Sequence, residues 1–274
     1  MPGGEVVTRQ FLTRYVPYHC SDAWPACAEN DCVTIDHWVH RSTRPRATVL
    51  ALHGFTMGTA WIDAHVMMAR RWFDLGFDVA LVALPFHGPR CPPSARYSGE
   101  LFASWNVSRT NEAVRQAIHD IHVVKMWIAR TTDAPVGLLG LSLGGYLAAL
   151  MAGLCDDLAF VIPVVPPVFL DALVRSLLAL DRTAETATLP LETLRKAYSV
   201  HCPLTYPLAV PRDRVLVVGA RGDCLVPPEH AFALWEHWGR PAIHWCSGSH
   251  TAPFRRTRLL GRIRQQFQAL GLLG

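Results

Sequence analysis

Residues 136–145 read VGLLGLSLGG. Val136 to Leu141 carries no polar side chain on either face, as a central parallel strand covered by helices on both sides requires. It runs without a break into Gly140-Leu141-Ser142-Leu143-Gly144, and Gly144 to Leu154 then has the small, apolar composition of a buried helix. A chain that turns this sharply from strand to helix forces the corner residue into a strained conformation and lifts its side chain clear of the sheet. Side chains two residues before and after the corner would collide, so glycine is needed at 140 and 144. The helix also aims its first amides and positive dipole end at the space beside the Ser142 hydroxyl, where an oxyanion would form. Ser142 is therefore the expected nucleophile.

Working outward, apolar runs alternate with amphipathic stretches from residue 48 onward, the pattern of βα units on a mostly parallel sheet. Strands are expected at Thr48 to Phe55, Phe77 to Phe86, Ala159 to Val165, Arg214 to Ala220 and Ala242 to Cys246. Helices are expected at Ala60 to Leu75, Arg109 to Arg130, Pro228 to Trp238 and Phe254 to Leu270. Val114, Ile118, Ile121, Val124 and Ile128 line one face of the long helix at steps of three and four. Between Pro166 and Pro211 the alternation breaks into two helix-like pieces, Phe169 to Asp181 and Leu191 to Ser199, in a Pro- and Thr-punctuated stretch. The expected organisation is an N-terminal extension at 1–32, a core at 33–165 and 212–274, and a helical cap inserted at 166–211.

Serine at its own pKa is a poor nucleophile, so a base and an acid to orient it should follow at the ends of later strands. Asp223 lies just past Arg214 to Ala220, and His250 just past Ala242 to Cys246 in a small-residue loop. That is where the carboxyl ends of parallel strands gather a site. Asp171 is the runner-up acid, whereas Asp213 stands at the wrong end of its strand. Of the other histidines near strands, His53, His87 and His244, the last sits inside its strand and reads as structural. A second oxyanion donor, beside the Leu143 amide, should come from His53-Gly54-Phe55-Thr56-Met57-Gly58. The Phe55 amide is the first choice and Thr56 the second.

These residues resemble a known superfamily. HGFTMG, GLSLGG, the acid in GARGDCLVP and the base in GSH look like the α/β-hydrolase fold over residues 33 to 272. Leu84-Pro85-Phe86-His87-Gly88 and Ser98-Gly99-Glu100, ahead of the long helix, are similar to the subgroup described as α/β-hydrolase domain-containing 18. The superfamily likeness implies an ester, thioester or amide hydrolase using Ser142, Asp223 and His250, with Phe55 and Leu143 as oxyanion donors. The base sits in GSH where many members have GGH, and nothing before residue 33 shares the likeness.

The rest of the composition narrows the function class. Of 274 residues 50% are apolar and 18% charged, which excludes intrinsic disorder. A net charge of +4 with no run of five basic residues gives no footprint for nucleic acid. The start lacks a secretory leader and no stretch reaches 18 apolar residues, so a cytoplasmic protein without a transmembrane segment is expected. The eight cysteines then read as reduced, with Cys20, Cys27 and Cys32 structural rather than zinc ligands. The Asn106 sequon carries no meaning without export. His119 and His122 lie three apart on the long helix with no completing ligand, no metal is expected, and no nucleotide motif implies a cofactor.

Substrate choice should rest with the cap and the loop at 87–108. FLDALVRSLLAL in the cap, with Phe55, Met57, Phe86 and Trp105 beneath it, would suit an apolar acyl group. Arg175, Arg182, Arg195 and Lys196 read as solvated. The expectation is a serine hydrolase taking a small-molecule carboxylic ester. Thioesterase, acyltransferase and peptidase use the same triad, and a silent ligand-binding member of the fold is the reading from another class. Oligomeric state is not readable.

Overall fold

The computed structural model describes residues 3–18, 24, 27–103, 106–173, 190–250 and 256–274. Within them lies one eight-stranded sheet, ordered β1-β2-β4-β3-β5-β6-β7-β8. The strands are β1 (Gly4–Leu12), β2 (Cys32–His40), β3 (Thr48–Leu52), β4 (Asp78–Val82), β5 (Val136–Leu141), β6 (Val161–Val164), β7 (Leu216–Ala220) and β8 (Ala242–Cys246). Only β2 runs against its neighbours, antiparallel to both β1 and β4. From β4 to β8 every pairing is parallel.

Alternation of side chains across each strand sends Leu50, Leu52, Ala80, Val82 and Leu138 into one core and Val49, Ala51, Val79, Leu81 and Leu139 into the other. The long helix α3 (Val107–Thr132), α4 (Leu143–Leu154) and α6 (Pro228–His237) cover the first face. Helix α2 (Ala69–Asp74), through Trp72, and α7 (Arg256–Ala269), through Ile263 and Phe267, cover the second. Every residue of β3, β4 and β7 is buried. This is why these runs carry no polar alternation.

Two features depart from the sequence reading, and a third lies partly outside the described residues. Residues 4–12, set apart there as part of an extension, pair with β2 at nine positions and form an edge of the sheet. The helix expected over 60–75 is two helices, α1 (Ala60–Val66) and α2, because Met68 takes a left-handed φ of 58°. The Trp72 indole N–H donates to the Met67 carbonyl at 2.9 Å and holds that break. In the segment read as a cap, residues 170–173 are helical and α5 (Leu191–Tyr198) follows, while most of the expected 169–181 helix lies outside the described residues.

Candidate active site

Ser142 follows the last residue of β5 at φ 53°, ψ −112° and caps the start of α4. The strain is locked in from both sides, since Ser142 N–H donates to the Val164 carbonyl at 2.8 Å and Gly144 N–H to the His53 carbonyl at 3.0 Å. A Cβ on Gly140 would stand 2.7 Å from the Gly145 nitrogen, and one on Gly144 2.8 Å from the His53 oxygen. Neither neighbour is a side chain that could swing away, so both positions require glycine.

The three side chains picked from the sequence meet. The His250 Nε2 atom lies 2.9 Å from Ser142 Oγ, and its Nδ1 lies 2.7 Å from Asp223 Oδ2. The other carboxylate oxygen accepts the Leu225 N–H at 3.0 Å and the Val226 N–H at 2.8 Å. Two amides on one oxygen fix the carboxylate plane and leave Oδ2 for the imidazole. The two loops are also joined to each other: Arg221 N–H donates to the Cys246 carbonyl and Gly222 N–H to the Gly248 carbonyl. Asp223 is only 4% exposed, and a buried carboxylate facing an imidazole N–H fixes the tautomer and orientation of the ring. Chemically, the chain can pass the hydroxyl proton to His250.

Asp171 lies elsewhere. Its carboxylate pairs with the Arg195 guanidinium at 3.2 Å, and the Arg195 side chain, read from sequence as solvated, is 68% exposed. His53 and His87 are not bases for this serine. The His53 Nε2 atom accepts the Leu84 N–H and its Nδ1 faces the Gly54 carbonyl, while burial pushes its pKa down to about 4. The His87 ring is fully buried, its Nδ1 faces the Pro85 carbonyl, and burial holds its pKa well below the usual range.

Leu143 supplies the first N–H of α4, which has no partner within the helix. Among the described residues neither its amide nor that of Phe55 donates to an acceptor. The Phe55 ring stands edge-on to His87 and Tyr97, with centroids at 5.8 and 6.4 Å. Thr56, next along, has a φ of 64°.

The expected substrate-lining residues divide. Met57 folds back on its own loop, its sulfur accepting the Gly54 N–H at 3.3 Å. Phe86 is instead 0% exposed and packs on Trp24, with ring centroids 5.4 Å apart. Its backbone φ is 62°, and the ring belongs to the buried core cluster, so it is a core residue and not a pocket wall. Trp105 lies outside the described residues. Sequence reasoning did not find a cavity of about 440 Å³ where the chain leaves β6, walled by Val168, Phe169, Leu170, Tyr198 and Leu204 with the Asp171–Arg195 pair at its edge. No local pattern marks it, because its walls come from two segments that only the fold brings together.

Cys27 is buried and Cys32 half-buried, and both are unpaired; Cys20 lies outside the described residues. The His119 ring pairs with Asp120, and His122 lies 3.8 Å from the Cys155 sulfur. Among the described residues no three His, Cys, Asp or Glu side chains could together hold a metal ion, and no helix is long and apolar enough to cross a membrane.

No protein-family model matches the sequence. Two Mycobacterium tuberculosis proteins, the uncharacterized proteins MT2702 and Rv2627c, are 34% identical to it over 242 residues, 85% of this chain. The chain spans about 56% of the length of these relatives. Among solved structures, the Pyrococcus furiosus esterase Pf2001 superposes with a TM-score of 0.58 at 19% identity, covering 98% of this chain and 92% of its own. Acetyl xylan esterase 1 from Thermoanaerobacterium gives 0.65 at 16% identity over 89% and 80%. Est1E from Butyrivibrio proteoclasticus gives 0.61 at 13% over 87% and 94%. With this strand order, a single reversed strand and structural neighbours of this kind, the chain has the α/β-hydrolase fold.

Proposed function

We propose that the protein is a serine hydrolase that cleaves carboxylic esters through an acyl-enzyme. The observation that carries this reading is the unbroken hydrogen-bond chain from Asp223 through His250 to Ser142 at a strained strand-to-helix turn. That three structural neighbours are named esterases agrees with it.

In the first half-reaction Ser142 Oγ attacks the ester carbonyl carbon while His250 Nε2 takes its proton. Asp223 holds the imidazolium, and the Phe55 and Leu143 amides receive the charge that grows on the carbonyl oxygen. Collapse breaks the bond to the alkoxy oxygen, which leaves as the alcohol with the proton from His250. In the second half water attacks the acyl-serine, gives its proton to His250, and collapse returns that proton to Ser142 as the carboxylic acid departs. No cofactor enters either half.

An apolar acyl group is the proposed preference; the aliphatic and aromatic part of the wall of the cavity beside β6, Val168, Phe169, Leu170 and Leu204, agrees with it. The likeness to the domain-containing 18 subgroup and a cytoplasmic setting, where thiols stay reduced, belong to the same proposal. The test is a panel of nitrophenyl esters of graded acyl length with a fluorophosphonate probe. Turnover together with labelling of the Ser142 peptide by mass is expected, and a wild-type protein that does neither overturns the reading.

A further inference from the structure

The loop that carries the Phe55 amide is held from outside, by a segment that no step of the proposed chemistry uses. Residues 54–58 pass through left-handed backbone at Thr56 (φ 64°) and Gly58 (φ 113°), a path that needs external support. Within the loop the described bonds are two long ones between Gly54 and Met57, the Met57 N–H to the Gly54 carbonyl and the Gly54 N–H to the Met57 sulfur, both at 3.3 Å, and the Gly58 N–H donates to Asp63 at 3.3 Å. A second loop, residues 84–99, lies behind it. The Ser98 hydroxyl donates to the Met57 carbonyl at 2.5 Å and accepts the Gly88 N–H at 2.9 Å. One oxygen thus joins the loop bearing Phe55 to the loop behind.

That second loop is itself built on buried anchors. Arg90, 0% exposed, donates to Asp120 at 2.8 Å, to the Asn30 carbonyl at 2.9 Å and to the Ala83 carbonyl at 3.1 Å. The Asn30 side chain in turn accepts the Phe86 N–H at 3.2 Å, and Gly99 N–H donates to the Phe86 carbonyl at 2.8 Å. Support therefore runs from the buried Arg90–Asp120 pair through the 84–99 loop to Ser98. It ends at the peptide two residues past Phe55.

We propose that Ser98 is a positioning residue which, by bridging the Met57 carbonyl and the Gly88 amide, sets the direction of the Phe55 N–H toward the oxyanion. It touches no reacting atom and acts through the loop. The inference rests on the hydrolase reading above and adds to it a residue outside the triad and the oxyanion amides. Loss of the bridge lets the Phe55 amide drift, and a donor displaced by a fraction of an ångström stabilises the transition state less while ground-state binding is unchanged.

The test compares wild type with Ser98→Ala on one short-chain nitrophenyl ester and on a trifluoromethyl ketone, whose adduct with a serine carries an oxyanion. The expected result is a 10- to 100-fold fall in kcat, KM within about twofold, and a matching loss of affinity for the ketone. Unchanged kcat and ketone affinity in a folded Ser98→Ala protein would overturn the inference. Should that variant melt far below wild type, Ser98→Cys, whose thiol is a weaker donor and acceptor, is expected to lower both readouts several-fold, and wild-type values there overturn it equally. A wild-type protein inert to esters and fluorophosphonate defeats the hydrolase reading itself. An active wild type with an indifferent Ser98 defeats this inference alone.

Discussion

Gly58 and Gly88 meet backbone to backbone: a Cβ on Gly58 would lie 2.6 Å from the Gly88 nitrogen, and one on Gly88 2.7 Å from the Gly58 carbonyl carbon. Both carry positive φ, 113° and 51°. Gly88→Ala should therefore force the two loops apart and also strain its own backbone. A loss of about 2 kcal/mol or more is expected by urea denaturation, with a fall in ester turnover larger than the stability loss explains. A variant as stable and active as wild type would show that the contact is not constraining.

The two carboxylates considered as the acid are separable. Asp223→Asn should leave the fold intact yet lower kcat by roughly 10³- to 10⁴-fold, since an amide facing His250 Nδ1 favours the wrong tautomer. Asp171→Asn, which loses only the partner of Arg195, should keep kcat within about threefold. Reversal of this order in steady-state kinetics would move the acid to Asp171.

Truncation of Phe86 discriminates core from pocket. Its ring is completely buried, so Phe86→Ala should cost about 3–5 kcal/mol of stability and leave the relative rates for short and long acyl esters unchanged. A shifted chain-length profile at near-normal stability would return Phe86 to the substrate wall.

Stability should decline on the acid side. Burial pushes His37, His53 and His201 down to about 4 from an ordinary 6.5, with Arg9 adding to the effect at His37. The unfolded chain takes up these protons near 6.5 while the folded one refuses them until about 4. Each contribution is whole above 6.5 and is lost as pH falls toward 4, on the order of 3 kcal/mol apiece. Asp63, raised to about 6 mainly by burial, acts with the opposite sign, its contribution being lost as pH rises from 3.8 through 6. Burial also lowers His87, His230 and His244 and raises Asp78, so the histidines outweigh the carboxyls and melting temperature is expected to fall steadily from pH 6.5 to 4.5; a flat profile contradicts the buried neutral histidines.

What could be read from sequence followed from how much each element depends on itself. Val136 to Leu141 and the glycines around Ser142 carry their own instructions, because a doubly covered strand must be apolar and a tight corner must lack side chains. Strands β1 and β2 were not legible, since Thr8, Asp36 and His37 break the apolar runs and an edge strand shows only alternation. The loop at 54–58 is recognisable by its glycines, but the bonds that hold it are not. Ser98 and Arg90 act through partners at Met57 and Asp120 that only tertiary structure brings near. Phe86 misleads because an aromatic beside a site is equally compatible with either face of the chain, and only its complete burial decides.

The carbonyls that grip Ser142 and Gly144 belong to Val164 and His53, at the tips of the two strands flanking β5. The pose of the reactive hydroxyl is thus a property of strand registry, whereas the walls of the cavity beside β6 come from separate connecting segments. Those walls can drift in composition without disturbing the strand ends, so the orientation of the Ser142 hydroxyl is inherited unchanged.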